Sequence, residues 1–238
     1  MQRAVREVLD LVFPRQCAAC GGAVGRELCH VCWDCLAGMW PVCSPFCSMC
    51  GDPVPGPIEH HYTCSLCVGH PPGFDYARSA FMYRGAMADL IKALKYHHDL
   101  HLSRDLATML LACVNVHYSA IDIDAVIFVP LHRRKEIKRT YNQSRLIARE
   151  LARMLGKPLI PDALQRVRDT PSQTELTSVQ RRKNVRGAFR VCRPQWLDGR
   201  RCLLVDDVMS TGSTVSECAR ELKKAGAAAV RVVTVARG

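Results

Sequence analysis

The sequence predicts an α/β domain, a parallel sheet flanked by helices, preceded by a small cysteine-rich region. Three observations carry this expectation. Ten of the 14 cysteines, at positions 17, 20, 29, 32, 35, 43, 47, 50, 64 and 67, fall before residue 68, while the other four are scattered through apolar stretches. From Phe74 onward, short apolar runs alternate with helical spacing, the order that gives a parallel sheet covered by helices. One of those runs ends in two aspartates and passes into a turn of hydroxyls and glycine. The expected division is residues 1–73 and residues 74–238.

In chain order, residues 2–12 place Val5, Val8, Leu9 and Val12 at helical spacing before Pro14 stops the pattern. Residues 17–73 are rich in Cys, Gly and Pro with few long aliphatic runs, so they bury little core and need metal to fold. Helices follow at Ala86–Tyr96 and residues 102–116, and residues 125–129 read as a buried parallel strand. A loop is expected at residues 130–141. The next helix carries Leu146, Ile147, Leu151 and Leu155 on one side and meets Gly156, which supplies the left-handed residue wanted at a helix end. Residues 165–190 are polar and without regular pattern. Then come a strand at residues 201–205, a helix with Val215, Cys218, Ala219, Leu222 and Ala225 on one face ending at Gly226, and a strand at residues 230–235.

Arg3, Arg6, Glu7 and Asp10 interrupt the first residues, unlike a signal peptide, and no segment approaches the ~18 apolar residues of a membrane span. The expected location is therefore cytoplasmic, where paired CxxC motifs hold metal more often than they form disulfides. The formal charge is +11. Two four-thiolate zinc sites add −8 and +4, leaving about +7, still basic. Much of the surplus lies at Arg133, Arg134, Lys135, Lys138, Arg139, Arg145 and Arg149, and again between Arg166 and Arg193. Such clusters suit phosphate, in a small ligand or in nucleic acid.

Cys47, Cys50, Cys64 and Cys67 form CxxC, thirteen residues, CxxC, with Gly51 after the first pair. Two residues between thiolates let both face one ion, glycine frees the turn, and two such knuckles complete a tetrahedron around structural zinc. In the first group, Cys17 and Cys20 can pair with Cys29 and Cys32 or with Cys32 and Cys35; spacing leaves both open. His30, His60, His61 and His70 are possible substitute ligands.

The segment LLVDDVMSTGST, residues 203–214, carries the chemistry. An apolar strand delivers Asp206 and Asp207 to the crevice at the carboxyl end of the sheet, where ligands of open parallel sheets bind. Ser210, Thr211, Gly212, Ser213 and Thr214 then open a helix, whose unpaired N–H groups suit a phosphate. The carboxylates can accept hydrogen bonds from vicinal sugar hydroxyls or support Mg2+ through water. The chain has no GxxxxGK[ST] loop, which sets a nucleoside triphosphatase aside.

LLVDDVMSTGST resembles the phosphoribosyl pyrophosphate signature of type I phosphoribosyltransferases. Together with the CxxC pairs, FMYRGAMADLIKALKYHHD, VPLHRRKEIKRTYNQS and SQTELTSVQRRKNVRGAF, nearly the whole chain resembles the ComF family. The resemblance implies a double zinc ribbon, with Cys17 and Cys20 completed by Cys29 and Cys32, since a CxxC after an aliphatic residue matches Leu28; Cys35 and Cys43 would then be spare. It implies that Asp206 and Asp207 hold ribose hydroxyls and that Ser210 to Thr214 hold the 5′-phosphate, with Mg2+ bound alongside phosphoribosyl pyrophosphate. Pro130, Leu131, His132 and Arg133 would face the pyrophosphate, and residues 168–189, with Gln173, Arg181 and Asn184, would close over the ligand. It further implies a link to uptake and handling of single-stranded DNA, with other DNA-uptake proteins as partners and Tyr141, Phe189 or Trp196 available to stack bases. The alternatives are an active phosphoribosyltransferase of base salvage and a regulator that senses phosphoribosyl pyrophosphate.

Overall fold

The computed structural model describes residues 15–24, 30–58, 61–170 and 177–238. The helix expected at residues 2–12 lies outside them. The helices are α1 (Trp33–Ala37), α2 (Ser65–Gly69), α3 (Ala86–Tyr96), α4 (Leu102–His117), α5 (Arg133–Arg139), α6 (Gln143–Leu155), α7 (Ser178–Val185) and α8 (Ser213–Lys224). The strands are β1 (Ala77–Met82), β2 (Ala125–Phe128), β3 (Leu164–Arg166), β4 (Phe189–Val191), β5 (Arg201–Met209) and β6 (Ala229–Arg237).

Four strands form one parallel sheet in the order β1-β6-β5-β2, and β3 and β4 form a separate antiparallel pair. Successive side chains of a strand point to opposite faces, so the continuous apolar runs of β5 and β6 serve two cores at once. Leu203, Val205, Val233 and Val235 pack with Leu90, Leu106, Leu110, Ile147 and Leu151 of α3, α4 and α6. Cys202, Leu204, Val230 and Val232 pack on the other side with Val215, Cys218 and Leu222 of α8. Helix α6 follows from its ends as well as its apolar side: Asn142 accepts from the N–H groups of Ser144 and Arg145, and Gly156 closes it at φ +63°.

Three expectations are corrected. Residues 130–141 contain α5, because His132 caps it by accepting from the N–H of Arg134, and Thr140 ends it in the left-handed region. The stretch 165–190 holds β3, α7 and β4. Helix α7 starts at a reciprocal cap, in which the Thr177 side chain accepts from Gln180 N–H and the Gln180 side chain accepts from Thr177 N–H. Strand β5 runs past residue 205 to Met209, so Asp206 pairs in register with Thr234 inside the sheet.

The cysteine-rich region builds little core of its own and uses that of the α/β domain. Val31 and Met39 join one core, and Cys47, Cys50 and Cys67 the other. It also covers the outer edge of β1: Val42 N–H donates to Ala80 O at 3.0 Å, Met82 N–H to Trp40 O at 2.7 Å and Ala77 N–H to Met49 O at 2.7 Å. The opposite edge, β2, is bonded by residues 158–160 through Val126 N–H to Pro158 O and Ile160 N–H to Val126 O. Neither edge offers a bare row of peptide groups to another chain. Among the described residues no helix is long and apolar enough to cross a membrane.

Gly51 sits at a close approach between the ribbon and β1. It has φ +68°, and a Cβ there would lie 2.6 Å from the Ala77 carbonyl oxygen. Gly51→Ala should lower stability by about 2 kcal/mol, combining backbone strain with a clash against β1. Urea unfolding compares it with Gly56→Ala, which has φ +87° but open space around the Cβ and so reports strain alone.

Candidate functional site

The described cysteines gather into two groups of four, Cys17, Cys20, Cys32 and Cys35, and Cys47, Cys50, Cys64 and Cys67, with the sulfurs of each within 4.8 Å of one another. The Cys20 and Cys32 sulfurs are 3.6 Å apart and those of Cys50 and Cys64 3.8 Å. Zn–S bonds of ~2.3 Å in a tetrahedron give edges of about 3.8 Å, so both donor sets fit structural zinc. Gly21 and Gly51, at φ +76° and +68°, turn each knuckle so that their N–H groups reach Cys17 O and Cys47 O.

Among the described residues Cys35, expected to be spare, is the fourth member of the first group. Helix α1 begins directly after Cys32, whose sulfur accepts from Cys35 N–H at 3.4 Å, so the two thiols stand one turn apart on the same side. Cys29 lies outside the described residues, as does His60. Cys43 is exposed and belongs to neither group, and among the described residues no histidine joins them. His30 is instead engaged by Asp105, which accepts from its backbone N–H at 2.8 Å and lies 3.2 Å from its Nδ1.

The second constellation is built on β5. Asp206 and Asp207 are 9% and 4% exposed. Asp206 Oδ1 accepts from Ser144 Oγ at 2.8 Å, and Asp207 Oδ2 forms an ion pair with Lys95 Nζ at 2.7 Å. Lys95 comes from the last turn of α3 and Ser144 from the first turn of α6. Burial pushes the Asp206 carboxyl up to about 7, and the neighbouring Asp207 charge adds to the rise. Burial would lower the Lys95 ammonium, but the Asp207 charge overcomes this and its pKa is raised.

Immediately after β5 the chain turns into α8. Asp206 and the residues Ser210, Thr211, Gly212, Ser213 and Thr214 line one small cavity of about 50 Å3. Gly212 caps α8 at φ +72°, and a Cβ there would meet Met209 and Phe74 at ordinary contact distance, so its role is conformational freedom. Thr211 Oγ1 and Ser213 Oγ are 2.8 Å apart, and Arg181 of α7 donates to Ser210 Oγ at 2.7 Å. Arg181, singled out in the sequence, therefore does reach the loop. Gln173 lies outside the described residues.

The segment Pro130 to Arg133 leaves β2 beside β5. Pro130 is buried, Leu131 and His132 are half-buried, and Arg133 is exposed as the first residue of α5. Its ties to the carboxylates run through Asn142, whose Nδ2 donates to Val129 O, and through Ser144. His132 Nδ1 lies 3.6 Å from Asp169. Lys95 and Ser144 escaped the sequence reading because each is brought to β5 by a different helix; a lysine in an apolar helical stretch and the polar run NQS before one were the available signals. Tyr141 and Phe189 are buried in core and cannot stack bases, whereas Trp196 is partly exposed under Arg193.

Two outcomes follow. Metal analysis of purified protein should find two zinc ions per chain, with one lost from Cys35→Ser and both kept by Cys43→Ser. The folded state holds the Asp206 proton more tightly than the unfolded chain, so the stability this group contributes is present below about pH 4 and is lost as pH rises to about 7. Denaturation midpoints of wild type should therefore fall, relative to those of Asp206→Asn, across that window.

Comparison with known proteins agrees with both constellations. A double zinc ribbon domain matches residues 8–68 and a phosphoribosyl transferase domain matches residues 142–238. The chain is 32% identical to the DNA utilization protein YhgH of Escherichia coli K12 over 224 residues, 87% of this chain and 96% of that protein. It is 31% identical to Competence protein F of Haemophilus influenzae Rd over 198 residues, 81% and 85% of the two chains. Among solved structures, a B. subtilis glutamine phosphoribosylpyrophosphate amidotransferase bound to ADP and GMP is similar over 56% of this chain and 25% of its own, at 25% identity and a TM-score of 0.37. With two four-cysteine groups docked on a parallel sheet that carries the paired carboxylates, and with relatives matching over more than four fifths of its length, the chain belongs to the ComF family.

Proposed function

We propose that this protein binds phosphoribosyl pyrophosphate or a closely related ribose phosphate, together with Mg2+, and that it serves the uptake and handling of single-stranded DNA in the cytoplasm. The observation that carries the first part is the shared cavity: one carboxylate of β5 and the whole hydroxyl-rich turn before α8 face the same small space. A ligand with a phosphate beside vicinal hydroxyls satisfies both, since the helix start and hydroxyls would donate to the phosphate and the Asp206 carboxylate would accept from the sugar. Asp206 fits Mg2+ as well. Its carboxyl, pushed up to about 7 by burial and the neighbouring Asp207 charge, would be held ionised by a cation in that cavity, while Asp207 is held by Lys95. When bound, Mg2+ supplies positive charge beside the pyrophosphate.

This chain's own residues would position the ligand and exclude water. Lys95 holds Asp207 in place, Ser144 orients Asp206, and Arg181 ties α7 over the phosphate turn. That last contact favours a second reading, an active phosphoribosyltransferase, because a helix closed over the ligand protects the donor from hydrolysis. DNA handling is supported by the names of the relatives and by the basic surplus.

Calorimetry with phosphoribosyl pyrophosphate and Mg2+ tests the site. Wild type should bind below millimolar, and Asp206→Asn should lose at least about tenfold, from about 1.5 to 3 kcal/mol for the charge-assisted bond it weakens. No heat at millimolar ligand would sink the proposal. Pyrophosphate release with a panel of bases and amines separates turnover from binding.

A further inference from the structure

A cavity of about 490 Å3 lies between α7, α8 and the second zinc ribbon, and it reaches Thr211, Gly212 and Ser213 of the phosphate turn. Its charge is one-sided. Arg182, Lys183 and Arg186 enter it from α7 and the residue after it, and Arg220 and Lys224 from α8. The one carboxylate among its lining residues, Glu217, is already engaged: Oε1 accepts from Gly187 N–H at 2.6 Å and Oε2 lies 3.4 Å from Arg220.

Arg182, Lys183 and Arg186 have no carboxylate within ion-pair distance among the described residues. On α8, Arg220 pairs with Glu217 and Lys224 with Glu221 along the same helix, and Arg220 also donates to Pro71 O at 3.2 Å; both cations keep much of their side chain exposed to the cavity. Arg182 with Arg186, and Arg220 with Lys224, are each four residues apart, so each pair presents two cations on one side of its helix about 6 Å apart along the axis. Helices α7 and α8 pack against each other, so the two pairs form a ladder. A single phosphate would use one rung. A ladder that ends at a phosphate-binding turn matches a chain of phosphates.

We propose that this cavity is a track for the backbone of a single-stranded nucleic acid, with α7 and α8 supplying paired cations to successive phosphates. The proposal deepens the DNA-handling part of the proposed function and rests on it.

The test is fluorescence anisotropy of a labelled short oligodeoxythymidine with the full zinc-loaded chain, titrated at several salt concentrations. Arg182→Gln/Arg186→Gln and, separately, Arg220→Gln/Lys224→Gln should each weaken binding about tenfold or more. Each should flatten the slope of log affinity against log salt by about 1.4, two phosphates at about 0.7 apiece. Lys92→Gln/Arg153→Gln removes the same charge from exposed positions on α3 and α6 and should stay within about twofold of wild type. Zinc content equal to wild type shows that each variant is folded. Losses no larger than the control's, with wild-type binding intact, would overturn the track while leaving DNA handling standing. Failure of wild type to bind at low salt would remove the DNA reading and the track with it. Displacement by polyglutamate as effective as by unlabelled oligonucleotide would overturn the assignment to nucleic acid.

Discussion

Two carboxylates held inside a covered parallel strand set the terms for the rest of the site. Asp206 and Asp207 lie in a strand with helices on both faces, where charge is costly unless it is paired. The surrounding elements answer that cost. Helix α3 must end where Lys95 reaches Asp207, and α6 must begin where Ser144 reaches Asp206. Asn142 caps α6 and also donates to the end of β2, so one residue fixes both the helix start and the approach of the next strand. The polar site and the helix packing beneath it are one arrangement.

The ribbons bear on the same sheet from its edge. Their backbone bonds to β1, Gly51 approaches Ala77 closely, and Asp52 pairs with the buried Arg237 at the end of β6 at 2.9 Å. The second ribbon also walls the cavity that opens toward the phosphate turn. Metal at its four cysteines would therefore hold one wall of the candidate binding region as well as stabilise a small loop-rich segment. Leu66 of that ribbon and Thr211 of the turn after β5, far apart in the chain, line the same cavity.

Much of this was legible in the residues. Helix α3 has the limits its apolar spacing predicts, α6 ends at the glycine that demanded a left-handed residue, and the apolar strands of the sheet were found because burial on both faces leaves an unbroken run. Strand β1 was missed because Arg78 and Ser79 interrupt its apolar residues, so it carries no such run. Helix α7 was missed because its start is marked by side-chain capping at Thr177 and Gln180 and it carries almost no apolar stripe.

The sequence by itself determined the chemistry available: paired thiols at knuckle spacing, two adjacent carboxylates at the end of an apolar run, a hydroxyl-rich turn with one glycine, and a basic surplus. Each of these is a local pattern, fixed by residues within a few positions of one another. Only the tertiary structure decided which groups meet. It gathered Cys35 with Cys17, Cys20 and Cys32 through the single turn of α1, brought Lys95 and Ser144 to the aspartates from two separate helices, and set cations from α7 and α8 around one cavity. Those partnerships depend on how elements pack and cross, and neither local spacing nor composition encodes a crossing geometry.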